Sequence, residues 1–446
     1  MIEEEKEVEI SGEKVYHLPS FQIVKYKERY LAIATELAAW VVLANENQLA
    51  IFNMLQSGAS VGKLLKEYET HQEDITYVLT QLEAKKIETA VAKSVFSNTK
   101  LHLHVTNQCN MRCPHCYMKS GSAYDDELST NEIKLLCDHF SHAGGTDVFL
   151  TGGEPTVRPD FFELVEYISR LGMKVSIYSN GLFWNEERVK RLADQNVDCI
   201  QISIDGYNEE SNALVRGRNA FERALNAVAL FVKYHIFVKI AVTPPYELIR
   251  THSEEYVRFS RQLIEKYGNE AIQIDYSYFL MPGRNLSADV VAARKAEYYT
   301  LIDHVVTGIY GDTSEDSFVS NVSEGICDSC GYGGLNVMAN GDFYFCDRIP
   351  DVAKIGNIRD MSFQEIQALM QVAQQAGKID NFKPCNTCTL KYICGGGCRA
   401  EHFRQFTKLH DITHVNFDCI EPRMCSQENK EKFYELMLKT NERFFC

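Results

Sequence analysis

The chain has 446 residues, more than one hydrophobic core usually supports, so we expect two or three domains. Hydrophobic residues make up 45% and charged residues 24%, an ordinary globular composition that excludes a largely disordered chain. The formal net charge of -15 disfavours nucleic acid and anionic membrane as partners, because both are polyanions.

The sequence predicts neither a membrane span nor an export signal. The most apolar run, Leu37–Leu55, is interrupted by the polar stretch "NENQ" and cannot cross a bilayer. The acidic start "MIEEEKEVE" differs from the basic and then apolar start of a secretory signal. We therefore expect a cytoplasmic protein.

Residues 1–98 predict a small domain of strands followed by helices. The alternating stretches "FQIVKY" and "YLAIAT" flank a turn at Lys27–Arg29, which is typical of a hairpin, and "AWVVLA" favours a third strand. Three helical patterns follow, over Gln48–Gln56, Ser60–Tyr68 and Ile75–Lys86.

Residues 99–310 alternate between strand and helix patterns. Ser129 and Glu132 form a capping box ahead of one of these helices. Repeated strand–helix units predict an α/β fold with a parallel sheet, rolled into a partial barrel. Gly311–Gly325 is polar and Ser-rich, which is typical of a linker into the C-terminal region, residues 311–446. The predicted strands are "KLHLHVT", "DVFL", "KVSIYS", "CIQISID", "FVKIAVT" and "IQIDYSYF", with helices at Phe161–Leu171, Glu186–Gln195, Ala220–Tyr234 and His252–Tyr267.

Fifteen cysteines favour metal ligation over disulfides in a reducing compartment. Cys137 and Cys199 lie in apolar periodic segments and are typical of buried hydrophobic side chains, and Cys446 stands apart. The others form three groups: Cys109, Cys113 and Cys116; then Cys327, Cys330 and Cys346; then Cys385, Cys388, Cys394, Cys398, Cys419 and Cys425.

The first group lies in "VTNQCNMRCPHCYM", directly after a predicted strand, with the spacing CxxxCxxC. A structural zinc site needs four ligands, and His115 could be the fourth. An iron–sulfur cube held by three thiolates instead keeps one iron open to a small molecule, and this is the interpretation we favour.

This motif, with the aromatic His115 before the last cysteine, resembles the radical S-adenosylmethionine (radical SAM) family. The resemblance implies a partial (β/α)6 TIM-like barrel and a [4Fe-4S] cluster whose open iron chelates S-adenosyl-L-methionine (SAM). It also implies reductive cleavage of SAM to a 5'-deoxyadenosyl radical, and so an external one-electron reductant of the flavodoxin or ferredoxin type.

Four later stretches match SAM-contacting segments of that family, in order and at predicted strand ends. The resemblance implies that "LTGGEP" contacts the methionyl amino group of SAM and that "YSNG" and "QISIDG" contact its ribose and methionine moieties. It implies that the arginine of "VRGRNAF" binds the SAM carboxylate. The implied cofactor-binding residues, besides His115, are Gly152, Gly153, Glu154, Ser179, Asn180, Ser203, Asp205 and Arg216.

The cysteine pattern of the C-terminal region resembles that of the SPASM domain, a radical SAM extension that holds two auxiliary [4Fe-4S] clusters. With the cluster of the first motif, the resemblance implies three clusters in all. "CNTCTLKYICGGGC" carries the CxxCx5CxxxC part of that pattern. Asp347 stands where some members keep a catalytic acid or base, although it could equally be a surface carboxylate. The resemblance implies Cys327, Cys330, Cys346 and Cys398 as ligands of one cluster, and Cys385, Cys388, Cys394 and Cys419, or Cys425 in its place, as ligands of the other.

The N-terminal domain resembles the winged-helix-like peptide-recognition domain of ribosomal-peptide maturation systems. The resemblance implies that a leader peptide adds a strand at the edge near Ala39–Ala44 and packs against Ile75–Lys86. A helical cap or a DNA-binding winged helix has a similar outline, but the acidic balance disfavours DNA.

Together these regions predict a radical SAM/SPASM enzyme that modifies a ribosomally made precursor peptide, most simply by forming Cys thioether bonds. Carbon–carbon or carbon–oxygen crosslinking, epimerisation and a protein-modifying maturase are alternatives within the enzyme class. An iron–sulfur electron carrier or a peptide-binding scaffold is the alternative without catalysis, but neither needs the "GGEP", "SNG" and "SIDG" segments.

Overall fold

A computed structural model describes residues 10–94, 99–346, 354–398 and 426–445. Its N-terminal part has the predicted order of three strands and three helices. The strands form an antiparallel sheet in the order β1-β2-β3. Its likeness to a winged helix stays a prediction. The elements are β1 (Gln22–Tyr26), β2 (Arg29–Ala34), β3 (Ala39–Leu43), α1 (Glu46–Gln56), α2 (Val61–Glu67) and α3 (Gln72–Ala84).

Strands β2 and β3 of the N-terminal sheet are buried on both faces. Ala32, Val41 and Leu43 pack against the helices of the same domain, whereas Ile33 and Trp40 belong to the main core of the protein. This difference follows from strand geometry, because successive side chains point to opposite faces. The domain is therefore docked on the rest of the chain through its sheet.

The β3 edge differs from the sequence-based expectation of an open strand. The Gln81 side chain on α3 accepts a hydrogen bond from Val42 N (2.9 Å) and donates one to Val42 O (2.7 Å). Lys85 Nζ donates to Trp40 O (2.7 Å), and Ala44 N donates to the Gln48 side chain (2.7 Å). Side chains thus occupy the positions that an added strand would use.

The central sheet has the predicted partial-barrel core. Strands β4 to β9 are parallel neighbours in chain order, and helices connect them, which confirms the α/β fold class. The predicted capping box of Ser129 and Glu132 begins α4. The elements are β4 (Lys100–Thr106), α4 (Thr130–His142), β5 (Asp147–Gly152), α5 (Phe161–Arg170), β6 (Lys174–Ser179), α6 (Glu186–Ala193), β7 (Val197–Ser203), α7 (Glu209–Arg216), α8 (Ala220–Lys233), β8 (Phe237–Val242), α9 (Tyr246–Tyr267), β9 (Ile272–Tyr276) and α10 (Ala288–Tyr310).

The C-terminal region is joined to this sheet, since β10 pairs in parallel with β4 and β11 and β12 continue the sheet beyond β10. The predicted linker is wrong: most of it forms helix α11, whose Phe318 packs on Trp40 with ring centroids 5.4 Å apart. The elements are α11 (Ser314–Glu324), β10 (Leu335–Val337), β11 (Asp342–Tyr344), β12 (Gly356–Asn357), α12 (Phe363–Ala376), α13 (Lys391–Cys394) and α14 (Gln427–Phe445).

Helix α14 lies against the N-terminal sheet. Trp40 Nε1 donates to Met437 O (3.2 Å), and Lys85 Nζ donates to Asn441 Oδ1 (3.0 Å). Burial lowers the pKa of Lys85 to about 7, because an ammonium loses hydration there. No helix in the described ranges is long and apolar enough to cross a membrane.

Candidate active site

The three clustered thiols follow β4 in a loop, residues 107–121, which we call the cluster loop. Cys109 N donates to Gly121 O (2.9 Å), and Gly121 N donates to Asn107 O (2.9 Å), so the two ends of the loop are paired. Cys109, Cys113 and Cys116 all line one cavity of about 360 Å³ at the carboxyl ends of the strands. Active sites of parallel α/β folds lie at this end.

Burial raises the pKa of the Cys109 and Cys113 thiols, so both are neutral in the metal-free chain at pH 7. Metal binding to such a site is therefore accompanied by proton release. His115, Ser203 and Arg216, from the predicted SAM contacts, line the same cavity.

Gly152 and Gly153 bring the end of β5 against the cluster loop. A Cβ at Gly152, whose φ is +135°, would lie 2.2 Å from Thr106 O, and one at Gly153 would lie 2.1 Å from Gln108 O. Glu154 N donates to Gln108 O (2.9 Å) in the same approach. The glycines thus permit close packing of two backbones, and both also line the cavity.

Glu154, a predicted SAM contact, is not among the residues that line the cavity, and its role toward SAM stays a prediction. The residue is 1% exposed and accepts hydrogen bonds from Ser179 Oγ (2.8 Å), Asn180 N (2.7 Å) and Thr156 Oγ1 (2.6 Å). Burial raises the pKa of Glu154, and these hydrogen bonds oppose the shift. Glu154 therefore ties the end of β5 to Ser179 and Asn180, which do line the cavity.

Asp205 is also a supporting residue in this structure. It is fully buried, pairs with Arg216 Nε (2.6 Å), accepts from Thr243 N (2.8 Å) and lies 3.6 Å from His115 Nε2. Burial lowers the pKa of His115. Burial also acts to lower the pKa of Arg216, but the negative charges of Asp205 and of an ionised Cys113 outweigh it and raise that pKa. Neither Arg216 Nε nor Asp205 Oδ2 has a hydrogen-bond partner of good geometry within the described residues, so the pair is held by charge attraction and the Nη groups of Arg216 are available to an anionic ligand.

Several cavity residues were not predicted from the sequence. Tyr178 and Gln201 are cross-strand neighbours on β6 and β7, and strand alternation places them on the same inner face as Ser203. That alternation could have identified them. No sequence signal identifies the segment after β9, whose cavity-lining residues are Ser277, Phe279, Leu280, Met281 and Arg284.

Comparison with known proteins decides which chemistry this arrangement serves. A family model described as the radical SAM superfamily matches residues 103–258, and one described as the SPASM iron–sulfur cluster-binding domain matches residues 327–389. Mycofactocin maturase MftC of Mycobacterium tuberculosis is 30% identical over 323 residues, which cover 68% of this chain and 78% of MftC. The chain belongs to the radical SAM superfamily.

Two further comparisons agree with this membership. The AdoMet-dependent heme synthase of Methanosarcina barkeri is 28% identical over 326 residues, which cover 67% of this chain and 90% of the synthase. The solved structure of anSMEcpe with bound AdoMet has a TM-score of 0.54 at 18% identity and covers 78% of this chain and 99% of anSMEcpe. The structural likeness concerns the fold alone.

The residues of the radical SAM cavity fit the cofactors of the family. Three thiols line the cavity, and the Arg216 guanidinium, held by Asp205, offers charge complementary to a carboxylate. When bound, a [4Fe-4S] cluster and SAM together supply a carbon radical that removes hydrogen atoms from a substrate. The chain itself supplies three thiols that would ionise on metal binding, a cationic anchor and a cavity lined by both polar and apolar side chains.

The SPASM region brings part of each predicted ligand set together. Cys330 and Cys346 lie near Tyr332, whose pKa is raised by burial and by both thiols. Cys327 lies against Gly395, where a Cβ would be 2.3 Å from its sulfur. Cys398 is partly exposed, and its place in the first set stays a prediction. Cys385, Cys388 and Cys394 of the second set line one cavity of about 400 Å³.

Three residues with predicted roles lie outside the described part of the chain: Asp347, Cys419 and Cys425. Their roles as catalytic acid or base and as alternative fourth ligands stay predictions.

Proposed function

We propose that this radical SAM enzyme modifies a ribosomally made precursor peptide and that the bond it forms is a Cys thioether. The observation that carries the peptide assignment is the sheet domain of residues 10–94, which precedes both matched family regions. MftC, whose name describes a maturase, supports a role in maturation as well. A sheet edge can recognise an extended peptide by main-chain hydrogen bonding, which suits a leader segment.

In this proposal the leader binds at the β3 edge, where its backbone displaces the Gln81 side chain from Val42. The amide of Gln81 bonds both polar groups of Val42, as the backbone of an added strand does. The leader backbone replaces both hydrogen bonds that Val42 loses, so no polar group of Val42 is left without a partner once the leader is bound. The occupied edge also protects the free enzyme from unwanted strand pairing.

The proposed leader domain directly contacts the segment that holds the second auxiliary cysteine set. Thr35 Oγ1 donates to Thr389 O (3.2 Å), and Lys391 pairs with Glu36 (3.0 Å) and with Asp380 (2.9 Å). Thr389 and Lys391 lie between Cys388 and Cys394 in the sequence. Leader binding at the sheet would therefore act close to a redox centre of the enzyme.

Redox accounting supports thioether formation. Joining a thiol sulfur to a carbon removes one hydrogen atom from the carbon, one proton from the thiol and one electron. The hydrogen atom leaves on 5'-deoxyadenosine, and the loaded cysteine sets of the SPASM region supply an acceptor for the electron. The first electron needed for SAM cleavage comes from an external flavodoxin- or ferredoxin-like reductant.

A second candidate is radical chemistry on a small molecule, which the likeness to the heme synthase favours. That match leaves about a third of this chain uncovered, and the proposed function assigns the N-terminal domain to a peptide. The two candidates differ in whether residues 10–94 are needed for substrate binding.

Tandem mass spectrometry of the precursor peptide after anaerobic turnover tests the bond type. We expect a loss of two hydrogens per modification and one fewer alkylatable cysteine for each bond, because the sulfur is consumed. A crosslinked product in which every cysteine still alkylates would contradict the thioether and indicate a carbon–carbon or carbon–oxygen bond. Uptake of deuterium from the solvent, without the loss of two hydrogens that a crosslink causes, would indicate epimerisation.

A further inference from the structure

A short segment after β9, Gly283–Asn285, holds one side of the cluster loop, and we call it the clamp segment. Arg284 N donates to Cys116 O (3.1 Å), and Asn285 N donates to Pro114 O (2.8 Å). Both acceptors belong to the stretch that contains the second and third thiols. The segment is more than 160 residues away in sequence from the loop that it contacts.

The Arg284 side chain extends this contact to both ends of the same half of the loop. Its Nη2 donates to Ser120 O, and its Nε donates to Cys113 O (3.4 Å). A guanidinium can do this because its donors point in fixed directions within one plane. Arg284 also lines the active-site cavity together with the three thiols.

Gly283 provides independent support for a specific fit. A Cβ at this position would lie 2.5 Å from His115 O and 2.7 Å from the His115 carbonyl carbon. A contact under 3.0 Å with backbone cannot be relieved by rotating a side chain. The clamp segment therefore approaches the cluster loop as closely as only glycine permits.

The two halves of the cluster loop are fixed from different sides. Cys109 is fixed at the base of the loop, since its N donates to Gly121 O (2.9 Å), and from the barrel side, since Glu154 N after β5 donates to the neighbouring Gln108 O (2.9 Å). The half with Cys113 and Cys116 has an internal turn, with Cys116 N donating to Cys113 O (3.2 Å), and the clamp segment packs on that turn. The spacing between the first thiol and the other two thus depends on where the clamp segment lies.

We propose that Arg284, supported by Gly283, is a positioning residue that sets the place of Cys113 and Cys116 relative to Cys109. It acts through the carbonyls of the loop and fixes the geometry in which the three thiolates and SAM meet. The inference rests on the radical SAM membership of the chain and not on the peptide substrate or the thioether. Failure of either of those proposals leaves it intact.

Arg284→Met in the reconstituted holoenzyme tests the proposal. The dissociation constant of SAM, measured by anaerobic equilibrium dialysis, is expected to rise about tenfold because charge-assisted hydrogen bonds are lost. The change that SAM causes in the electron paramagnetic resonance spectrum of the reduced enzyme is expected to weaken in parallel. Arg284→Lys keeps the charge but not the two donor directions, so its dissociation constant should lie between those of Arg284→Met and wild type.

Gly283→Ala is the second variant, because its Cβ displaces the same loop without altering charge. If Gly283→Ala loses about four irons and retains the other eight, this supports the proposal as well as a weaker SAM affinity does, because the loop then fails to hold its own cluster. Arg294→Met is the matched control: Arg294 pairs with Glu247 on α9 and does not contact the loop. Wild-type SAM affinity and spectra in both Arg284→Met and Gly283→Ala, or an equal shift in Arg294→Met, would overturn the proposal.

Discussion

Replacing Cys109, Cys113 and Cys116 together with alanine is expected to abolish SAM cleavage. The three thiols line the active-site cavity and are the residues that would hold the radical-generating cluster. Eleven assigned thiolates suffice for three [4Fe-4S] clusters, so the reconstituted wild type should contain about twelve irons and the variant about eight. Iron analysis and chromatographic quantification of 5'-deoxyadenosine measure the two effects.

Cys137→Ala is the matched control, because Cys137 is a buried thiol on α4 outside the three groups. Its iron content and SAM cleavage should match those of wild type. Continued production of 5'-deoxyadenosine by the triple variant would show that the cluster loop is not the site of the chemistry.

The second large effect is expected at the β3 edge. Gln81→Ala leaves the N–H and C=O of buried Val42 without their side-chain partners, which costs the free enzyme about 1–3 kcal/mol for each group. A leader strand that pairs with Val42 removes this penalty. Leader affinity should therefore rise by at least about tenfold in Gln81→Ala, as measured by fluorescence anisotropy of a labelled leader.

Val42→Pro should have the opposite effect, since proline removes the N–H that the leader needs. Slow cleavage of SAM without substrate should persist in Val42→Pro, because the active site is untouched. Gln56→Ala, a change of the same type on the exposed end of α1, should leave affinity unchanged. Unchanged leader affinity in both Gln81→Ala and Val42→Pro would place the leader elsewhere.

Local patterns in the sequence predicted most of the scaffold. The hairpin with the turn at Lys27–Arg29 and the strands of the barrel depend on alternation and turn residues, which act over a few positions. The grouping of Cys109, Cys113 and Cys116 followed from their spacing. These features need no information about distant parts of the chain.

The errors arose where distant segments meet. The β3 edge looked open because nothing in "AWVVLA" shows that Gln81, almost forty residues later, bonds to Val42. The "LTGGEP" motif likewise does not show that Ser179 and Asn180 donate to the Glu154 carboxylate, and the SAM contact of Glu154 stays a prediction. Arg284 had no local pattern at all. Each of these contacts depends on tertiary packing, which periodicity does not report.

The proposed function directs the radical SAM chemistry of this chain at a precursor peptide. Anaerobic turnover of the reduced enzyme with SAM and a leader-bearing precursor from a neighbouring reading frame, followed by quantification of both products, tests this claim. We predict one 5'-deoxyadenosine for each loss of two hydrogens from the peptide, and a much lower rate without the leader. SAM cleavage that no leader-bearing peptide stimulates, with peptide mass unchanged, would contradict the claim.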